Sequence, residues 1–160
     1  MSVKLVAATP VDDELLCQVI KQVGEEFGAV GEGYGPSDPE VLAMSQHYGD
    51  DNNSLYLVAK LNGKVVGGCG VAPLNGSLTT CELKKLFLLE ESRGLGLGKQ
   101  LTEQCLQYAK TKGFKACYLD TLSNMTSAVR LYEKLGFEHL SQPLAQSVHN
   151  GCDVWMKKAL

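Results

Sequence analysis

The strongest chemical signal in this sequence is the run Arg93-Gly94-Leu95-Gly96-Leu97-Gly98-Lys99. Glycine at every second position lets backbone N–H groups turn into one concavity with no side chain in the way of a ligand. Apolar residues before the run read as a strand. Leu97, Leu101, Cys105, Tyr108 and Ala109 after it fall on one face of a helix. A helix start adds unpaired amides and the positive end of a dipole, and Arg93 and Lys99 bracket the turn with positive charge. Such a segment is built to hold a phosphate or pyrophosphate. The ligand is not that of a Walker loop, which needs G-x-x-x-x-G-K-S/T, because Gln100 stands where the metal-binding hydroxyl belongs. A dinucleotide fingerprint fails too, since the spacing here is G-x-G-x-G with four strand-like segments already behind it. The remaining alternative is a tight turn that binds nothing.

Further along, Ala128-Val129-Arg130-Leu131-Tyr132-Glu133-Lys134-Leu135-Gly136-Phe137 follows the pattern A-x-x-L-Y-x-K-x-G-F. Together with Arg93-x-x-Gly96-x-Gly98, it resembles the two signature motifs of the GNAT superfamily of N-acetyltransferases, in the same order. The resemblance implies acetyl-CoA as cofactor, with CoA as product. It implies a pose in which the backbone of Leu86, Phe87 and Leu88 binds the pantetheine arm as an added strand. The amides of Gly94, Leu95, Gly96, Leu97, Gly98 and Lys99 would cradle the pyrophosphate, and an N–H near Leu88 would polarise the thioester carbonyl. The thioester would then meet the amine in a slot between two splayed strands.

Amine attack on a thioester needs an unprotonated nucleophile and a proton for the departing thiolate. Tyr132 resembles the family's acid, and an unperturbed phenol pKa near ~10 suits an alkyl thiol. The spacing Ala128, Leu131, Leu135 equally suits a core tyrosine. Glu82 resembles the base of the protein-acetylating branch, and Asp120 the carboxylate of another branch. Glu82 and Leu88 share one face of an undistorted strand, a parity that a bulge would break. Tyr34, in a glycine-rich loop, is a candidate wall of the substrate pocket. Two departures from the family pattern stand out. Met125 occupies the usual asparagine position, with Asn124 or Ser123 as replacements for its cofactor contact, and Glu90 replaces a proline before the nest. Cys81 and Cys152 lack a histidine placed to activate them as nucleophiles. His47-Tyr48 and His149-Asn150 fall in loops that would rim the amine site.

These residues need a scaffold. Strand-like runs are Val3–Ala7, Leu55–Lys60, Val65–Val71, Leu78–Leu89, Ala116–Thr121, Phe137–Leu140 and Asp153–Lys158. Asn62-Gly63 is a strong hairpin signal between the second and third. A helix opens at Thr9-Pro10 with an acid at Asp12 and ends at Gly28. A short second helix is expected over Pro39–His47, a third ends at Gly113 and a fourth at Gly136. The order β-α-α-β-β-β-α-β-α-β-β predicts one mixed α/β domain over residues 1–160, with a mostly antiparallel central sheet, a splayed strand pair and about four flanking helices.

Composition bounds the partners. A net charge of -3 leaves no basic field for nucleic acid. No apolar run approaches the roughly 18 residues of a membrane span. Six cysteines without a C-x-x-C pair lie mostly in apolar segments, so buried thiols in the cytoplasm are expected, and no metal site. Two enzyme readings stay open: a small-molecule amine acceptor such as an amino acid or polyamine, or a protein lysine or N-terminus. A non-catalytic acyl-CoA sensor is the third, although it has no need of Glu82, Asp120 and Tyr132 together. Dimers are common in the superfamily, and the sequence leaves open whether this chain forms a homodimer.

Overall fold

The computed structural model describes residues 2–144 and 150–160. Seven strands form one sheet: β1 (Val3–Ala7), β2 (Leu55–Leu61), β3 (Lys64–Pro73), β4 (Thr80–Leu88), β5 (Ala116–Thr121), β6 (Glu138–Leu140) and β7 (Val154–Ala159). Their spatial order is β1-β2-β3-β4-β5-β7-β6. Every pairing is antiparallel except β4 with β5. In β2 four consecutive residues, Tyr56 to Ala59, are buried, which requires cover on both faces of the sheet. Helices α1 (Asp13–Glu26) and α2 (Leu97–Thr111), each packed on β3 and β4, supply it. Helix α3 (Thr126–Lys134) joins β5 to β6 and touches α2.

The expected mixed α/β architecture is therefore present, with two local differences. The second helix is a 3-10 segment, Pro39–Gln46, broken at Ala43. The break lets Ser45 donate twice to the Asp13 carboxylate while Val41 and Met44 are fully buried. Strand β4 starts at Thr80 rather than Leu78, because the Ser77 hydroxyl accepts from the amides of Thr79 and Thr80 and holds a turn there. Leu78 is left 83% exposed, outside the sheet.

Thr9 and Asp12 open α1 as their types predict. The Asp12 carboxylate accepts from the Thr9 amide at 3.0 Å and the Thr9 hydroxyl at 3.1 Å, and it pairs with Lys60 of β2 at 2.9 Å. Burial works to raise its pKa, but Lys60 and Thr9 outweigh burial and hold it below the ordinary value. A depressed carboxylate stabilises the fold above its unfolded pKa and loses that contribution as pH falls through the folded value. Asp12→Asn is thus expected to cost about 1–3 kcal/mol at neutral pH. In urea melts the gap from wild type should close as pH drops below about 4. A gap that is constant with pH would mean that the charge of the carboxylate contributes nothing.

Candidate active site

Gly94 and Gly96 both have φ of +79°, a left-handed backbone that glycine adopts without strain. The two reversals curl the chain into the start of α2. Gly96 is the N-cap and offers no side chain to the helix amides. Gln100 is the first residue whose N–H bonds back, to the Gly96 carbonyl at 3.1 Å. The amides of Leu97, Gly98 and Lys99 are thus left to a ligand or water. They front a cavity of about 420 Å³, walled on one side by Leu86 and Leu88 and on the other by Thr126, Ser127 and Ala128. Unpartnered amides around an open, glycine-lined hollow fit a pyrophosphate, and the apolar walls fit the thinner arm beyond it.

The splay is visible in the register. Strands β4 and β5 pair only at Thr80↔Ala116, Cys81↔Cys117 and Glu82↔Tyr118, although β4 runs on to Leu88. A bulge interrupts β4 at this point. Gly68 faces Phe87 and Gly70 faces Lys84, so Lys85 and Leu86 together oppose Cys69. Lys85 takes a φ of +54°. The face parity expected between Glu82 and Leu88 is therefore broken.

A slot of about 60 Å³ occupies the gap between the strands, lined by Lys85, Leu86, Phe87, Leu119, Asp120 and Tyr132 among others. It shares Leu86, Met125 and Ala128 with the large cavity. It shares Lys85, Phe87, Asp120 and Thr121 with a further pocket of about 60 Å³. That last pocket brings Glu82, Asp120, Tyr34 and Cys152 together, with Lys84 and Lys85 also on its wall. Met125 lines all three spaces, so the hollow, the slot and this pocket adjoin one another.

Tyr132 is 5% exposed and meets Phe137 edge-on at 5.8 Å between ring centroids. Burial lifts its phenol well above the ordinary value. Its hydroxyl makes no hydrogen bond to the described residues. Glu82 is buried, and Asp120 lies 3.4 Å from the Tyr118 hydroxyl that donates to it. The Cys152 thiol is pushed up to about 12, first by burial and then by Asp120 beside it. It stays protonated at neutral pH and is no nucleophile. Cys81 is fully buried with its thiol on the Ala116 carbonyl, 3.4 Å away. Among the described residues no cluster could hold a metal ion.

The side chains of Arg93 and Asn124 are engaged elsewhere than in the expected cofactor pose. Arg93 lines the cavity, but its guanidinium is engaged. Nη1 and Nη2 donate to the two Glu26 oxygens at 2.7 and 2.8 Å, and Nε donates to the Leu88 carbonyl. Its charge ties α1 to the nest rather than standing free. Asn124 does not line the cavity: its amide donates to the Phe27 carbonyl at 2.8 Å. Leu95 is partly exposed and off the cavity wall, and Phe87 points into the slot. Tyr34 lies on Gly151, where an added Cβ would come within 2.6 Å of the ring. His47 is exposed and His149 lies outside the described residues.

Sequence reading missed Val23 and Phe27, which complete the cavity wall, because helical periodicity marks them only as core. It also missed an ionic group around β4. Lys85 pairs with Asp38 at 2.8 Å and Glu40 at 3.3 Å, and Lys84 pairs with Glu40 at 3.1 Å. The signal was available in two adjacent lysines inside a largely buried strand.

Known proteins share this fold and its motifs. A family model described as acetyltransferase (GNAT) family matches residues 21–137. The chain is 40% identical to an Escherichia coli K12 protein named uncharacterized N-acetyltransferase YjgM, over 93% of this chain and 90% of that one. Among solved structures, it is similar to a GNAT-family acetyltransferase from Staphylococcus aureus Mu50, with a TM-score of 0.83, 20% identity and 99% of each chain covered. It is also similar to the PaiA N-acetyltransferase of Thermoplasma acidophilum in complex with coenzyme A, with a TM-score of 0.80, 21% identity and 100% of each chain covered. The matched model spans the glycine nest, the splayed strands and the Tyr132 helix, and the chain belongs to the acetyltransferase (GNAT) family.

Proposed function

We propose that this protein transfers an acetyl group from acetyl-CoA to the primary amine of a small molecule, with Glu82 as base and Tyr132 as acid. One observation supports the reading: the glycine-lined hollow, the slot that Tyr132 lines and the pocket that holds Glu82 and Asp120 adjoin one another, with Met125 on the wall of all three. Acetyl-CoA supplies an activated acetyl thioester. The amides of Leu97, Gly98 and Lys99 would hold its pyrophosphate, and Leu86 and Leu88 its pantetheine arm. The Glu82 carboxylate accepts a proton from the entering amine, directly or through water, with Asp120 as second candidate. The Tyr132 hydroxyl gives its proton to the departing sulfur. Tyr34, seated on Gly151, lines the pocket that holds Glu82 and Asp120, which suits a slim free amine. All six cysteines are free thiols, which supports a reducing, cytoplasmic setting.

The test is acetyl-CoA-dependent thiol release across small amines and peptides. Turnover with small amines is expected, and Glu82→Gln should lower kcat/KM about 100-fold, more than Asp120→Asn. Turnover with peptides alone would transfer the acceptor to protein. CoA binding without turnover of any amine would leave a sensor.

A further inference from the structure

Strand β3 carries Gly67, Gly68 and Gly70 in its buried middle, where glycine weakens a sheet unless another group needs the room. At Gly67 that group is the Phe87–Leu88 stretch of β4, and at Gly68 and Gly70 it is Tyr56. An added Cβ on Gly68 would come within 2.5 Å of Tyr56 Cε1, and one on Gly70 within 2.5 Å of Tyr56 Cδ2. Tyr56 belongs to β2, pairs directly with Gly70, and is 1% exposed. Its ring lies across β3, and its hydroxyl donates to the Lys85 carbonyl on β4 at 2.8 Å. Lys85 is the left-handed residue of the bulge. The bulge is thus gripped by its main chain from one side. Its ammonium, 1% exposed, is gripped from another by Asp38 and Glu40. Tyr48 ties the two grips together: its hydroxyl donates to Glu40, and its ring lies 5.4 Å from that of Tyr56.

Strand parity gives the bulge its consequence. One extra residue reverses which face every later side chain and amide takes. With the bulge, Leu86 and Leu88 line the large cavity and Phe87 the slot. A regular β4 would exchange them and turn the Leu86–Leu88 amides the other way.

We propose that Tyr56 is a positioning residue for acyl transfer: by holding the Lys85 carbonyl across the Gly68 and Gly70 gap, it sets the β4 bulge that aims Leu86–Leu88 at the reacting thioester. The inference rests on the transferase reading for its kinetic consequence but not for its structural one. Tyr56→Phe should lower kcat about tenfold or more, with the Kd for CoA rising by clearly less than kcat falls, because the glycine nest is untouched and only the pantetheine contacts of Leu86 and Leu88 shift. Restoring a donor with 4-aminophenylalanine at position 56 should bring kcat back to within about threefold of wild type. An unchanged kcat in Tyr56→Phe, or no recovery with the amino analogue, overturns the proposal. So does a parallel loss of kcat and CoA affinity, the mark of a merely structural role. If Tyr56→Phe does not fold, Asp38→Asn loosens Lys85 from its other grip. A kcat loss of about threefold with Kd held then supports the tether, and an unchanged kcat overturns it. If wild type turns over no amine, the transferase reading fails alone. Amide exchange over residues 84–88 then decides the structural claim. Acceleration of about tenfold in Tyr56→Phe relative to β2 supports it, and equal exchange overturns it.

Discussion

Gly98→Asp is expected to abolish CoA binding while leaving the protein as stable as before. Gly98 is the second residue of α2, and a Cβ there would make ordinary contacts, 3.4 Å to Leu131 and 3.7 Å to Leu88. The fold therefore accepts the substitution. An acid in the first turn of a helix contributes about 0.3–1 kcal/mol through the dipole, and replacing glycine inside a helix helps further. The same carboxylate would stand beside the amides offered to a diphosphate. At about 5 Å and an effective dielectric near 20, each pair of like charges costs roughly 3 kcal/mol, more than about a hundredfold in Kd. Isothermal titration with CoA and a thermal melt read the two effects separately. Retained affinity would place the anion elsewhere and remove the basis for the nest. Lost affinity with a collapsed Tm would show only misfolding.

Tyr132→Phe is expected to lower kcat about 100- to 1,000-fold with little change in CoA affinity or stability. The hydroxyl has no hydrogen bond to lose among the described residues, so its removal should cost under about 1 kcal/mol. Burial raises the phenol pKa, so the group stays protonated throughout the working range and gives up its proton only as charge develops on the departing sulfur. The sign matters for the pH profile. A raised acid pKa moves any loss of rate from Tyr132 ionisation above about pH 10. The low-pH limb then belongs to the base and the amine, which must lose protons before attack. A wild-type kcat in the variant would reduce Tyr132 to a core ring packed on Phe137, the other role its spacing allowed.

Much of the scaffold was readable from local pattern alone. Thr9-Pro10 with Asp12, Gly28, Asn62-Gly63, Gly113 and Gly136 mark boundaries because backbone conformation at those points depends on the residue itself. Four of these glycines, at 28, 63, 113 and 136, do have positive φ. Long-range partners left no such mark. Nothing near Arg93 in sequence announces that Glu26, far along the chain, will take its guanidinium. Asn124 likewise carries the type of a cofactor ligand, yet its amide reaches the end of α1.

By itself the sequence determined the element order and the glycine-rich turn, because each depends on residue type and short spacing, and it carried the two motifs that resemble the family. Only the tertiary structure decided which groups converge. A bulge at Lys85 and the early end of β4–β5 pairing open the slot and choose the residues that face it. The reason is geometric: one residue inserted in a strand reverses every side chain beyond it, and the groups that meet Lys85, namely Tyr56, Asp38 and Glu40, all lie far from it in sequence.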